Sequence, residues 1–282
     1  MNAKPISLKN LIRRFWRKTL LTWIFVLVEG ITLVLMPMVI GWAVDGLMAD
    51  DFTGIYQLAG LCLILLLAGA GRRFYDTRAY AKIFNIVANE LVQNEYGKKS
   101  GVSKITARTN LFIEFIHFLE DSIPEIIQQI ITLIGILFII VFIDWKIFLA
   151  CLASVMVTAL IYVLSEKRLF RLNKGSNDEF EQQVDIITRA SGPEIRAHFK
   201  KLTIWDIRMS DLETLNFSGI WIALSAVMLF TITSSVSAGL TFGQVLAMVM
   251  YVFEFIECIM FFPFFYQEAV RLREIGIRLA AT

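Results

Sequence analysis

Three carboxylates interrupt long apolar runs, and they are the residues best placed to do chemistry. Glu29 stands in a run over 19–42, and Glu254 and Glu257 stand in a run over 242–265. A charge is costly in an apolar medium, so a carboxylate held there faces a cavity or a partner group. Glu254 and Glu257 are three apart and share one face of a helix. Such a pair suits reversible proton uptake, or attraction of a cationic solute. A second ionisable cluster, Arg72, Arg73, Asp76 and Arg78, closes the run over 55–71. Arg72 and Arg73 are expected to reach toward lipid headgroups, with Asp76 pairing an arginine. These six residues, Glu29, Glu254, Glu257, Arg72, Arg73 and Asp76, are the candidates for a substrate or proton pathway.

The elements that must position them follow from hydropathy. Apolar runs occupy 19–42, 55–71, 123–142, 147–164, 220–236 and 242–265, each 17–24 residues long. At about 1.5 Å per residue, each is long enough to cross a bilayer as a helix. The composition agrees: of 282 residues, 57% are hydrophobic and only 18% charged, with a mean hydropathy of +0.65. The segments between runs alternate in length. Residues 1–18, 72–122, 165–219 and 266–282 are long or terminal, whereas 43–54, 143–146 and 237–241 are short. Of the 27 Lys and Arg, only Lys146 lies among the short segments. The basic side is therefore expected to be cytosolic, with both termini inside. The net charge of +2 conceals this asymmetry, because the outer segment carries Asp45, Asp50 and Asp51. The basic excess suits anionic inner-leaflet lipid and does not argue for nucleic acid.

Cys62, Cys151 and Cys258 all fall within the runs. With no CxxC pair and no Cys/His cluster they are expected to be buried, inert thiols. Glu254, Glu257, Cys258 and Met260 do not fall on one face and have no His nearby, so no metal site is expected. No cleavable signal peptide is expected, since the first apolar run is too long for one.

Residues 6–18 place Leu8, Leu11, Ile12, Phe15 and Trp16 at helical spacing, with Lys9, Arg13, Arg14, Arg17 and Lys18 on the other face. This predicts an interfacial amphipathic helix over 1–18, ahead of a six-helix domain over 19–282. The polar segments of about 50 residues are too long for loops. Tyr80, Ile83, Phe84, Val87 and Leu91 follow a helical period. A break is expected at 96–103, around Gly97, Lys98, Lys99 and Gly101, before the period resumes at Phe112, Phe115, Ile116 and Leu119. In the second segment Phe180, Val184 and Ile187 form a stripe that Ser191-Gly192-Pro193-Glu194 breaks. Pro193 suits the first turn of a new helix. The fold class is therefore all-α: a polytopic membrane protein with six transmembrane helices and long cytosolic extensions.

This plan resembles the transmembrane domain of ABC exporters, and several motifs carry the likeness. Pro37-Met-Val-Ile-Gly41-Trp-Ala-Val-Asp45 is similar to the family's Pro-x3-Gly-x3-Asp. Gly239-Leu-Thr241-Phe-Gly243-Gln-Val-Leu-Ala247 is similar to its Gly-x-Thr-x-Gly-x-Leu-x-Ala. Asp144-Trp145-Lys146 resembles the tight outer turn between spans three and four, and Phe262-Pro263-Phe264 a late-sixth-helix proline. Asn89-Glu90 departs from the family, which often has Arg there. The resemblance implies a homodimer. It also implies coupling segments that dock on an ATPase: one at Gly97, Lys98, Lys99, Gly101, Lys104 and Arg108, the other at Asp185, Arg189 and Gly192.

No Gly-x4-Gly-Lys-[Ser/Thr] loop occurs in the sequence, and no Ser/His/Asp or Cys/His catalytic set is credible. The expectation is that the chain has no nucleotide-binding domain and is not itself an enzyme. ATP and Mg would then act only through a separate ATPase subunit. The expected function is transport across a bacterial-type inner membrane with that ATPase acting in trans. One alternative is an ATPase-free, proton-coupled transporter of peptide-like or cationic solutes. Peptide-uptake proteins of the bacterial inner membrane resemble exporter domains that lack the ATPase. A second alternative is a membrane interaction protein that does not transport.

Overall fold

A computed structural model of the protein describes residues 8–97, 101–189, 191–265 and 268, with backbone alone at 8–12, 94, 95, 103, 104, 107 and 108. Lys98 and Lys99 lie outside the described residues, as do the side chains of Leu8, Leu11, Ile12, Lys104 and Arg108. Among the described residues eight α-helices follow in chain order: α1 (Leu8–Met48), α2 (Thr53–Gly97), α3 (Val102–His117), α4 (Ile123–Ile143), α5 (Trp145–Glu181), α6 (Gln183–Arg189), α7 (Gly192–Ser237) and α8 (Phe242–Met260). A π-helical turn, Phe118–Ser122, joins α3 to α4. Six stretches are long and apolar enough to cross a membrane: Arg13–Met48, Thr53–Gln93, Thr109–Ile143, Trp145–Arg189, Gly192–Ser237 and Phe242–Phe265. Each contains one of the six apolar runs.

The chain divides into two compact units, one of residues 1–143 and 235–282, the other of 144–234. In the first, α1 packs against α2, α4 and α8, and α4 packs against α8. Helix α1 runs unbroken from the amphipathic segment into the span, through Pro37. It ends where Asp50 takes a positive φ of 56° and the Asp51 N–H donates back to the Gly46 carbonyl. Asp51 then accepts from the Thr53 N–H and hydroxyl, which starts α2.

The two helical stripes read in the first polar segment pack on each other. Tyr80, Ile83, Val87 and Leu91 of α2 bury against Phe112, Phe115 and Ile116 of α3, with Phe15 of α1 joining them. That core is why α2 can continue as helix far past its apolar run. The break falls as expected, with α2 ending at Gly97 and Gly101 capping α3 in extended conformation.

The π turn has a local cause. Pro124 has no N–H to give the Glu120 carbonyl, and its ring would crowd that carbonyl in a regular helix. The Ile123 N–H reaches instead to the carbonyl of Phe118, five residues back. The extra residue displaces Glu120 and Asp121 from where an α-helix would put them.

In the second unit Asp144 makes the whole connection between α4 and α5. Its carboxylate accepts from the Lys146 N–H at 2.8 Å and from the Ser234 hydroxyl at 2.7 Å. Helices α5 and α7 are joined at several levels. Ser165 bonds Asn216 at 2.6 Å, Trp205 covers Gly175, and the buried His198 Nδ1 lies 2.9 Å from Glu179.

Two expectations are corrected. The second polar segment breaks twice. Besides the break before α7, α5 stops at Gln182, whose N–H turns back to the Glu179 carbonyl. The isolated α6 results, and Phe180, Val184 and Ile187, expected on one continuous helix, fall on two and are exposed. Cys151 and Cys258 are buried, but Cys62 is exposed, because its stretch of α2 turns Leu63, Leu66 and Leu67 outward as well.

Candidate functional site

The first unit gathers three of the six pathway candidates, Glu29, Arg72 and Asp76, with Thr22 into one buried network between α1 and α2. Arg72 Nε donates to Glu29 Oε2 at 2.8 Å, and a second guanidinium nitrogen lies 3.9 Å from Asp76. Asp76 accepts from the Thr22 hydroxyl at 2.5 Å. Helix periodicity explains the geometry: Arg72 and Asp76 are i, i+4 on α2, and Thr22 and Glu29 are i, i+7 on α1, so both pairs lie on facing stripes. Glu29, Asp76 and Thr22 are buried, at 4%, 4% and 0% exposure. Arg72 therefore does not reach outward to headgroups as expected. Two buried carboxylates hold it inward by charge-assisted contacts. Arg73, one residue on, points away and is exposed.

Glu120 and Asp121, displaced by the π turn, lie within electrostatic reach of Asp76. His117 stands 3.9 Å from Asp121. Among the described residues, Arg72 thus faces Glu29 and Asp76, while His117 stands beside Asp121.

Glu254 and Glu257 separate. Glu257 is exposed, whereas Glu254 Oε2 is buried and has no hydrogen-bond partner. Neighbouring α8 positions are tightly packed. Tyr251 donates to the Val34 carbonyl at 3.0 Å, and the Cys258 thiol donates to Gln129 Oε1 at 3.2 Å. An orphaned carboxylate oxygen among such contacts is a costly feature.

The far end of the unit explains two of the sequence motifs. Asp45 accepts from the Thr241 hydroxyl at 2.5 Å and from the Gly243 N–H at 2.7 Å. Gly41 and Gly243 face each other so closely that a Cβ on either would collide with the other's backbone. Thr241 also begins α8 through a capping box with Gln244. The Pro-x3-Gly-x3-Asp and Gly-x-Thr-x-Gly patterns are thus two halves of one clasp between α1 and α8.

At the other end Arg14 grips Glu90 with two parallel bonds of 2.7 Å. This is the place where Asn89-Glu90 departs from the exporter pattern, so the departure brings its own partner. Of the coupling candidates, Gly97 is the last residue of α2, Gly101 directly precedes α3, Asp185 and Arg189 are exposed on α6, and Gly192 begins α7. Among the described residues no group of three or more His, Cys, Asp or Glu is placed to hold a metal.

Sequence reasoning missed the Asp45 clasp, the Arg14–Glu90 pair and the buried Glu179–His198 pair. The clasp had a signal, since both halves were recognisable motifs. The other two join residues far apart on separate helices and carry none.

Among the described residues, six helices long and apolar enough to cross a membrane define an integral membrane protein of the polytopic helical class. The family model described as the ABC transporter transmembrane region matches residues 8–243. The chain belongs to that family. No curated protein matches it.

Proposed function

We propose that the chain is the membrane-spanning part of an ABC-exporter-like transporter that pairs with a second copy and works with an ATPase supplied by another chain. The observation that carries the reading is the family match across residues 8–243, which covers both turns between the long helical extensions. Helix α6 lends support. It is a detached helix of seven residues with none buried, and it leaves Val184 and Ile187 72% and 47% exposed beside Asp185 and Arg189. A short amphipathic rod with an open apolar face suits docking into a groove on a partner. The membrane is a bacterial-type inner membrane with both termini cytosolic, as the distribution of Lys and Arg favours. The test is purification from native membranes followed by reconstitution. Vanadate-sensitive ATP hydrolysis should accompany the chain and drop at least tenfold when Val184, Asp185, Ile187 and Arg189 are all changed to Ala. Solute movement driven by a proton gradient, with no ATPase present, would sink it.

A second reading rests on Glu254. A mid-span carboxylate whose oxygen has no partner suits a site that takes up and releases a proton, as a proton-coupled transporter needs. On that reading Glu254→Gln abolishes gradient-driven transport while the protein still assembles. The network around Arg72, with Glu29 and Asp76, would then line the solute path.

A further inference from the structure

A groove of about 510 Å³ opens between α1 and α2 at the basic end of the spans, lined by Lys18, Arg78, Ala81, Lys82, Asn85 and Ile86. Three cations from two helices converge on it. Elsewhere on these helices the cations that face neighbours are matched: Arg14 with Glu90, and Arg72 with Glu29. The groove cations are not. Among the described residues no carboxylate makes an ion pair with Lys18, Arg78 or Lys82. Arg78 is held by its own helix, donating to the Phe74 carbonyl at 2.9 Å with its guanidinium 3.3 Å from the Phe74 ring centre. Lys18 is placed by its backbone, whose carbonyl accepts from the Tyr75 hydroxyl at 2.8 Å, while its ammonium stands 5.6 Å from the Phe15 ring. Asn85 adds an amide whose oxygen already accepts from Asn89 at 2.6 Å, so its N–H groups are what it can offer. The groove therefore presents donors and positive charge, which is the chemistry of an anion site.

Its level in the membrane says which anion. Lys18 immediately precedes the apolar run of α1, and Tyr75 ties it to α2 just beyond the end of that helix's run. Phe74, 64% exposed and against the Arg78 guanidinium, adds an aromatic ring such as occurs at a headgroup layer. On the membrane side Leu20 and Leu21 are exposed at 47% and 38%, a surface for acyl chain. Ala81 and Ile86 give the groove an apolar wall. A soluble phosphate would use the cations and leave these surfaces idle.

We propose that this groove binds the phosphodiester headgroup of an anionic phospholipid, with Lys18, Arg78 and Lys82 as its ligands. Each cation near a membrane surface raises affinity for an anionic lipid roughly fivefold. Three of them set the site well apart from the general attraction of a basic face. The inference is independent of what energises transport.

The test is native mass spectrometry of the full chain in detergent, titrated with phosphatidylglycerol and with phosphatidylcholine of the same acyl chains. Phosphatidylglycerol should bind at least about tenfold tighter. Lys18→Gln/Arg78→Gln/Lys82→Gln should bring it down to the phosphatidylcholine level. Arg168→Gln/Arg171→Gln/Lys174→Gln, which removes the same charge from the exposed surface of α5, should keep the preference. The single exposed change Lys82→Glu covers the case of a poorly folding triple variant, and should lose at least fivefold. Equal binding of the two lipids, an equal loss in the α5 variant, or full displacement of the lipid by free glycerophosphoglycerol would each overturn the assignment.

Discussion

Removing Arg72 should harm the protein more than removing Glu29, although the two are partners. The side chains of Glu29 and Arg72 are 6% and 19% exposed and 2.8 Å apart. Breaking a buried pair by deleting one member strands the other, at a cost of about 3–5 kcal/mol. The two deletions are not symmetric. In Glu29→Gln, Arg72 still has Asp76 at 3.9 Å, and a small rotation closes that distance. The replacement amide also keeps an acceptor for the guanidinium. The cost should fall to about 1–2 kcal/mol, near that of one charge-assisted hydrogen bond. In Arg72→Gln both Glu29 and Asp76 lose their cation while buried, and Thr22 satisfies only one of them. That cost should reach the full 3–5 kcal/mol or more. The double variant Glu29→Gln/Arg72→Gln should cost less than the two single changes together, with a coupling of about 1–2 kcal/mol. Reversible unfolding in mixed micelles, followed by far-UV circular dichroism against denaturing detergent fraction, measures all three. If Glu29→Gln proves the more damaging single change, or the double variant is additive, the network is not organised around Arg72.

Further outcomes follow from the same structure. Gly243→Ala should destabilise the α1–α8 contact by about 1–3 kcal/mol through overpacking, and Asp45→Ala by about 2 kcal/mol through two lost bonds, both read as lower melting temperature of the purified protein. Phe112, fully buried among Phe84, Phe115 and the α2 stripe, should cost about 3–5 kcal/mol on change to Ala, with hydrogen exchange accelerating first in α3. His198→Leu should leave Glu179 with only the exposed Lys201 at 3.6 Å, and loosen the joint of α5 and α7 enough to speed proteolysis near α6. Asp51 is held below the ordinary carboxylate range by the Thr53 hydroxyl and N–H, so its contribution is present above its unfolded pKa and lost as pH falls through the lower folded value. Amide exchange at Thr53 should therefore rise only in strong acid, and Asp51→Asn should remove that dependence.

What could be read from sequence was what periodicity and composition encode. Six spans, the all-α class and the packed stripes of α2 and α3 are repeats along the chain, and they are visible as such. The break at Gln182 was not, because nothing in Glu181-Gln182-Gln183 disfavours helix. What ends α5 there lies outside local propensity. The direction of Arg72 was misread for a related reason. A basic residue at the end of an apolar run has two outlets, headgroups or a buried acid. Choosing between them requires knowing that Glu29 comes level with it on the neighbouring helix. Grouping Glu29 with Glu254 and Glu257 by depth had the same weakness, since depth says nothing about azimuth. Glu29 is paired with Arg72, and of the three carboxylates Glu254 alone keeps a buried oxygen unserved.

Three carboxylate ties hold helix α1 to its neighbours, beside the bonds that Lys18 and Val34 accept from Tyr75 and Tyr251, and they differ in strength for reasons visible in their surroundings. At the basic end Arg14 and Glu90 have ideal forked geometry, but their side chains are 50% and 45% exposed. Solvent screens such a pair, and it contributes well under 1 kcal/mol. At the far end Asp45 makes two short bonds to Thr241 and Gly243, reinforced by the glycine contact that brings the backbones together. Between them lies the buried network on Arg72, whose loss is the most expensive of the three. The middle and basic ties both join α1 to α2, whereas the far tie joins α1 to α8. A motion that separates α1 from α2 must expose an unpaired charge to an apolar medium, so those two helices move together. Separating α8 from α1 at the far end breaks two hydrogen bonds and the close glycine contact, but it strands no ion pair in an apolar medium. Any opening of this unit that costs little free energy therefore begins at the Asp45 clasp, where two recognisable sequence motifs converge.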